Sequence, residues 1–248
     1  MSGPSLLWLR RDLRRGDHPA LVAAAASGPV LPVFVLDPEF FDPAGPVRRG
    51  WLAATLRALD ASYDGHLCLR RGDPREVIPA LALEVGAREV HTSVETEPGG
   101  AARDAAVRAA LEAAGVAWVA TGSPYAVTPG RVRNAAGNGY RVFTPFLRAW
   151  RTNGWRGPAV EPDPLALTDA PSDASAWDAV DAALAACPIG LPPAGEGAAL
   201  ARWEEFQSSE LARYDDSRDL PAVDGTSRLS PYLKFGVLHP RTLLADLA

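Results

Sequence analysis

The sequence predicts a Rossmann-like α/β fold, a parallel five-stranded sheet with helices on both faces, followed by the start of an all-helical unit. Three observations carry the sheet. Five short apolar runs (5–10, 30–36, 66–70, 88–93 and 116–120) alternate with four segments of helical period. The runs SLLWLR and VLPVFVL are apolar at consecutive positions, the pattern of strands covered on both sides. The helical segments carry matching punctuation: Pro19 opens PALVAAAAS, while Gly86 and Gly115 close 74–86 and 101–115. Repeated strand–helix alternation gives a layered α/β architecture with right-handed crossovers.

Taken in order, the first strand ends in Arg10, Arg11, Asp12 and Arg14, with no GxGxxG turn. The carboxyl end of a strand is where open α/β sheets bind ligands. A charged cluster there reads either as an ion-pair network or as a ligand or interdomain contact. Helices follow at 48–61, 74–86 and 101–115, and the first unit closes near Gly122, giving a domain over 1–125. Residues 139–151 form an aromatic segment leading into a helix, and its stripe of Phe143, Phe146 and Trp150 reads as core. Residues 154–197 are rich in Pro, Gly, Ala and Asp with weak periodicity, so 126–197 is assigned as a connector. Helical pattern resumes at 197–214, with Leu200, Trp203, Phe206 and Leu211 as its buried stripe, and 198–248 begins a helical domain.

Within that domain, DGTSRLSPYLKFG (224–236) places Thr226, Ser227, Arg228 and Ser230 just before Pro231. Ser followed by Pro is a helix-start signal, and a helix start presents unpaired amides that attract anions. The stretch reads either as an ordinary capped helix or as a phosphate-binding turn. The last helix opens at Pro240 and leaves Leu243, Leu244 and Leu247 with little to cover them.

Composition excludes several classes. Cys68 and Cys187 are far apart without a CxxC pattern, which fits a reducing, cytoplasmic setting and argues against a zinc site. The four histidines lack metal-ligand spacing, and no apolar run is long enough to span a bilayer. The net charge is −5, with 17 basic and 15 acidic residues in 1–150 against 8 and 15 in 151–248. Any nucleic-acid surface must therefore be a local basic patch.

Four ordered stretches resemble the DNA photolyase and cryptochrome family: LLWLRRDLRRGDHPAL (6–21), GYRVFTPFLRAWR (139–151), YDDSRDLPAVDGTSRLSP (214–231) and, overlapping its end, TSRLSPYLKFG (226–236). The resemblance implies FAD as cofactor, with Tyr214, Thr226, Ser227, Arg228, Leu229 and Ser230 contacting it and Arg218 meeting a DNA phosphate. Tyr214 and Arg218 also read as a surface tyrosine and a solvated arginine beside Asp215 or Asp219. The family's antenna-contacting loop corresponds to VETEPGGAARD (94–104). Gly99 and Gly100 stand where the folate type resembles an Asn-Glu pair, so a deazaflavin-type second chromophore is favoured, through Arg48 and Glu95, with no antenna as the other reading. The implied activity is light-driven repair of cyclobutane pyrimidine dimers in DNA by electron transfer from reduced FAD. The alternatives are a cryptochrome-type photoreceptor and a stand-alone nucleotide-binding α/β module. The family's length implies that this chain is an N-terminal portion, with catalytic residues expected beyond it and a monomer when full length.

Overall fold

The computed structural model describes residues 3–247; the outermost positions of the first and last assigned domains, 1–2 and 248, lie outside the described residues. Five strands, β1 (Ser5–Leu9), β2 (Val30–Leu36), β3 (Cys68–Arg71), β4 (Glu89–Thr92) and β5 (Ala117–Ala120), form one sheet in the order β3-β2-β1-β4-β5. Every pairing is parallel. The helices of this half are α1 (Pro19–Ser27), α2 (Pro38–Phe41), α3 (Pro46–Ser62), α4 (Pro74–Glu84) and α5 (Pro98–Ala113). Each opens on a proline, whose missing N–H costs nothing at that position. Three are also capped by side chains. The His18 ring accepts from Leu21 N, Asp37 from Glu39 N and Asp73 from Arg75 N. Pro46 and Pro98 start α3 and α5 two and three residues before the predicted positions.

The pleat divides the core. Leu6, Trp8, Leu31, Val33 and Val35 face α4 and α5, packing with Ile78, Leu81, Val107 and Leu111. Leu7, Leu9, Val30, Phe34 and Leu36 face the other way, onto Leu21 of α1 and Trp51 and Leu56 of α3. β5 lies at the sheet edge and is only half covered.

The rest of the chain wraps that second face. It contains α6 (Phe143–Asn153), α7 (Ala174–Ala185), α8 (Glu196–Ser209), a single 3-10 turn (Leu211–Arg213), α9 (Tyr214–Ser217), α10 (Ser230–Lys234) and α11 (Pro240–Asp246). The connector is tied to the sheet ends. Val30 N donates to Ala166 O at 2.8 Å, and Arg71 N donates to Asp173 at 2.8 Å. α7 has no counterpart in the sequence reading. It is half alanine, and its buried positions Ala176, Val180 and Ala183 are too small to stand out as a stripe. Trp203 and Phe206 of α8 are buried as expected, in the same cluster as Leu7, Leu9, Leu229 and Tyr232. The sheet and the C-terminal helices thus share one apolar core.

One expectation fails. The aromatic stripe of α6 is not core: none of the helix's residues is buried, and Phe143 is 70% exposed. The helical period was read correctly, but the stripe it creates stays exposed or half-buried.

Candidate functional site

The turn after β1 is built first, because everything C-terminal leans on it. Asp12 is buried and accepts hydrogen bonds from Arg10 N (2.7 Å) and Ser93 Oγ (2.6 Å), with His18 Nε2 at 3.4 Å. Burial alone would raise its pKa, but His18 and Arg10 overcome that and hold it well below the ordinary range. Arg10 is paired with Asp104, and Arg11 with Glu97 at 2.5 Å. The sequence order reverses between β1 and β4, the switch point where open sheets bind ligands. These ion pairs occupy the crevice there, as in the network reading of this cluster.

The same turn also contacts the C-terminal part of the chain. Arg14 is buried and donates to Gly16 O, Asp17 O and, across 222 residues, Gly236 O at 2.9 Å. Leu13 N donates to Phe235 O at 3.2 Å. Gly236 has φ +64°, and a Cβ there would stand 1.8 Å from Arg11 O, so only glycine fits. Asp17 gathers three segments: its carboxylate accepts from Arg241 Nη2 (2.5 Å) and Nε (3.0 Å), from Ala159 N (2.8 Å), and lies 2.9 Å from His239 Nδ1. Burial raises the Asp17 pKa, yet His239, Ala159 N and Arg241 together lower it below the usual value. Burial holds the His239 pKa low in turn.

On this platform sits the loop 224–230. Arg202 of α8 donates from Nε to Ser227 O and from Nη2 to Thr226 O, both at 3.0 Å. Leu229 is buried in the shared core and anchors the loop from below. Tyr232 Oη donates to Pro193 O at 2.7 Å, and its ring meets Trp51 edge-on at 5.2 Å. α9 is tied to the same loop: Ser217 Oγ donates to Gly225 O at 3.4 Å, and a Cβ on Gly225 would come within 2.3 Å of Ser217 Oγ. The structure therefore brings the Tyr214–Arg218 segment and the 224–230 loop together.

The loop's own side chains face outward. Thr226, Arg228 and Ser230 are exposed. Among the described residues the Thr226 and Ser230 hydroxyls have no hydrogen-bond partner, and Ser227 Oγ makes only a long contact, 3.5 Å from Leu229 N. Arg228 pairs with Asp224 at 2.7 Å, both side chains solvent-exposed, and sits at φ +53°. A left-handed, non-glycine residue is strained by about 1–2 kcal/mol. Tyr214 lies edge-on to Phe206 at 5.9 Å. Arg218 reaches Asp215 and Asp219 only at 3.7 Å, and its guanidinium stands 5.9 Å from the Tyr214 ring centre.

The helix start differs from the expectation. α10 begins at Ser230, not Pro231, its cap is Leu229 in helical conformation, and no side chain caps it. Ser230 is thus inside the first turn, and its hydroxyl is not spent on capping. At five residues the helix adds little dipole, so hydroxyls, backbone and Arg228 carry any anion-binding capacity.

Arg48 and Glu95 are placed apart in function. Arg48 is exposed on the first turn of α3. The Glu95 carboxylate folds onto its own loop, accepting from Thr96 N (2.7 Å) and Glu97 N (3.0 Å). The structure gives no contact between the two. The residues that sequence reasoning missed are Arg202, Ser217 and Asp17. Each acts on a backbone group or side chain distant in the chain, which no local pattern reveals.

The sheet order and its covering helices define a doubly wound α/β protein, with the hydroxyl- and arginine-bearing loop presented by the helices packed on it. Residues 5–166 match the family model described as DNA photolyase, and the chain belongs to that family. It is 38% identical over 96% of its length to a deoxyribodipyrimidine photo-lyase of Halobacterium salinarum, and 39% identical over 96% to one of Thermus thermophilus. It spans 53% of each of those relatives. A class III photolyase of Agrobacterium tumefaciens has the same fold, with a TM-score of 0.80 and 30% identity over 99% of this chain and 53% of that one. The chain thus spans about half the length of the relatives it matches.

Proposed function

We propose that this chain supplies the α/β lobe and the first cofactor-binding loop of a light-driven deoxyribodipyrimidine photolyase. The observation that carries this reading is the 224–230 loop: its backbone is fixed from within by Arg202 and Leu229, while its hydroxyls and Arg228 remain turned outward without strong partners. That donor set suits the phosphates of FAD. Thr226, Ser227 and Ser230 offer neutral donors, and the exposed Arg228–Asp224 pair is weak enough to exchange for a phosphate. Leu229 holds the loop in register from the core, and Tyr214 flanks it. Arg218, loosely held by two aspartates, is the DNA-phosphate contact of the same face. When bound, FAD supplies the electron-transfer chemistry; the residues here bind and orient it. The substrate in this reading is DNA containing pyrimidine dimers.

The assigned units are 1–125 for the α/β domain, 126–197 for the connector and 198–248 for the beginning of the helical domain. For a second chromophore, Arg48 and Glu95 remain the proposed contacts, of deazaflavin type. Glu95 would have to leave its own loop amides to serve.

The test is FAD titration of the purified chain by flavin fluorescence. Saturable but weak binding is expected, since the loop is open to solvent. Arg228→Glu should weaken it at least about tenfold, the scale of one charge-assisted hydrogen bond. Binding unaffected by Arg228→Glu and by Ser227→Ala combined with Ser230→Ala would overturn the assignment.

A further inference from the structure

The connector holds a surface that the flavin loop and Arg218 leave unexplained. Between Glu112 and Glu161 the sequence has no acidic residue but six arginines: 131, 133, 141, 148, 151 and 156. The remainder of the chain has 19 basic residues against 30 acidic ones, so this segment opposes the charge of the protein that carries it. All six arginines are exposed. Among the described residues none of these six forms an ion pair, whereas most arginines elsewhere, such as Arg57 with Asp181 and Arg75 with Asp73, are matched to carboxylates.

Aromatic rings are interleaved with these charges. Trp150 and Trp155 stack at 4.7 Å, each followed directly by an arginine. Phe143 and Phe146 lie exposed on the same helix, and Tyr140 meets Phe146 edge-on at 6.3 Å. The neighbouring loop is internally built. Arg133 donates to Gly130 O and Gly137 O, both at 2.8 Å, and Asn134 Oδ1 accepts from Ala136 N and Asn138 N at 3.0 Å. A cleft of about 550 Å³ opens between this loop and the start of α6, lined by Asn134, Asn138, Tyr140, Arg141 and Val142.

We infer that residues 130–156 form a binding surface for single-stranded nucleic acid, independent of a lesion, of light and of FAD. Unpaired guanidinium groups neutralise successive phosphates, and exposed rings stack on bases whatever their sequence. The cleft beside Tyr140 and Arg141 is of a size to take one base. The surface goes beyond the proposed photolyase reading and does not rest on it. It is the local basic patch that the chain's composition requires of a nucleic-acid binder.

The experiment is fluorescence anisotropy with an undamaged, labelled oligothymidylate, in the dark and without FAD, using the whole chain. Saturable binding is expected, weakening with salt at a slope set by the phosphates contacted. The triple variant Arg148→Gln, Arg151→Gln, Arg156→Gln should bind at least about tenfold more weakly and lose about 2 from the salt slope, roughly 0.7 per phosphate contact. Arg108→Gln, on α5 and paired with Glu112, should bind as the parent does. Trp150→Ala with Trp155→Ala should weaken binding to the oligonucleotide but not to polyphosphate, which has no bases. Because none of the substituted arginines is buried, circular dichroism and Tm should be unchanged in the triple variant. No binding at low salt, or equal binding by the triple variant, would overturn the inference. So would sedimentation showing a low-salt dimer abolished by the triple variant without oligonucleotide binding, since the surface would then serve the acidic 161–248 segment of a second copy.

Discussion

Two groups of arginines show how differently one fold uses the same side chain. Around the turn after β1, Arg14 and Arg241 are buried, and their donors meet carbonyls of Gly16, Asp17 and Gly236 or the carboxylate of Asp17. On the 214–230 face, Arg218 and Arg228 are exposed, and each has only neighbouring aspartates for partners. Exposed pairs contribute little to stability because solvent screens them, whereas removing one member of a buried network strands charges that water cannot reach. The first group therefore holds the helical part onto the sheet, and the second stays available to an anion from outside.

The widest separation between the groups should come from Asp17→Ala. It removes the acceptor shared by Arg241, His239 and Ala159 N, and leaves a buried guanidinium unmatched. A loss of about 3–5 kcal/mol in urea unfolding is expected. A loss below 1 kcal/mol would place Arg241 in contact with water and remove the contrast.

Gly236→Ala attacks the same junction through the backbone. The added Cβ meets Arg11 O, and the φ of +64° is unfavourable for alanine. The left-handed conformation alone costs about 1–2 kcal/mol, and the forced displacement adds to it. Limited proteolysis should show earlier cleavage between the sheet and α11 in this variant; a parent-like digestion pattern would show that the Arg14–Gly236 contact is dispensable.

Acid sharpens the comparison without mutation. His239 has its pKa depressed below 6.5 in the fold, so its contribution is present above that value and declines as pH falls beneath it. Asp17 is depressed below 3.8, so the stability it contributes holds above 3.8 and is lost as pH falls through its folded value. Tm should therefore begin to fall below about pH 6.5 and fall again below about pH 4. Asp17→Asn should shrink the second, lower step, leaving the part that Asp12 contributes. A Tm that rises on acidification would contradict the sign of both shifts.

These contrasts mark what a sequence discloses. The sheet was legible because its signals are local: apolar runs such as VLPVFVL, and prolines at helix starts. The loop at 224–230 was legible for the same reason, since Thr226 to Ser230 are contiguous. The α6 stripe was legible as a period but not as a fate, because periodicity says which side is apolar and not whether anything covers it. α7 escaped because alanine gives almost no contrast between its faces. The Asp17–Arg241 and Arg14–Gly236 contacts join residues more than 200 positions apart, and either end alone looks like an ordinary turn.

The smallest expected effect tests whether the exposed group is kept for binding. Arg228 is strained at φ +53°, and its pair with Asp224 is too exposed to compensate. Arg228→Gly removes the left-handed penalty of about 1–2 kcal/mol, offset by the greater freedom of glycine in the unfolded chain, about 0.5–1 kcal/mol. A net gain of up to about 1 kcal/mol is expected, together with weaker FAD binding. Opposite signs in the two measurements would mean that the strained conformation is retained because it aims the guanidinium at a ligand. Lower stability with unchanged FAD affinity would mean that Arg228 belongs with the buried arginines as a structural residue.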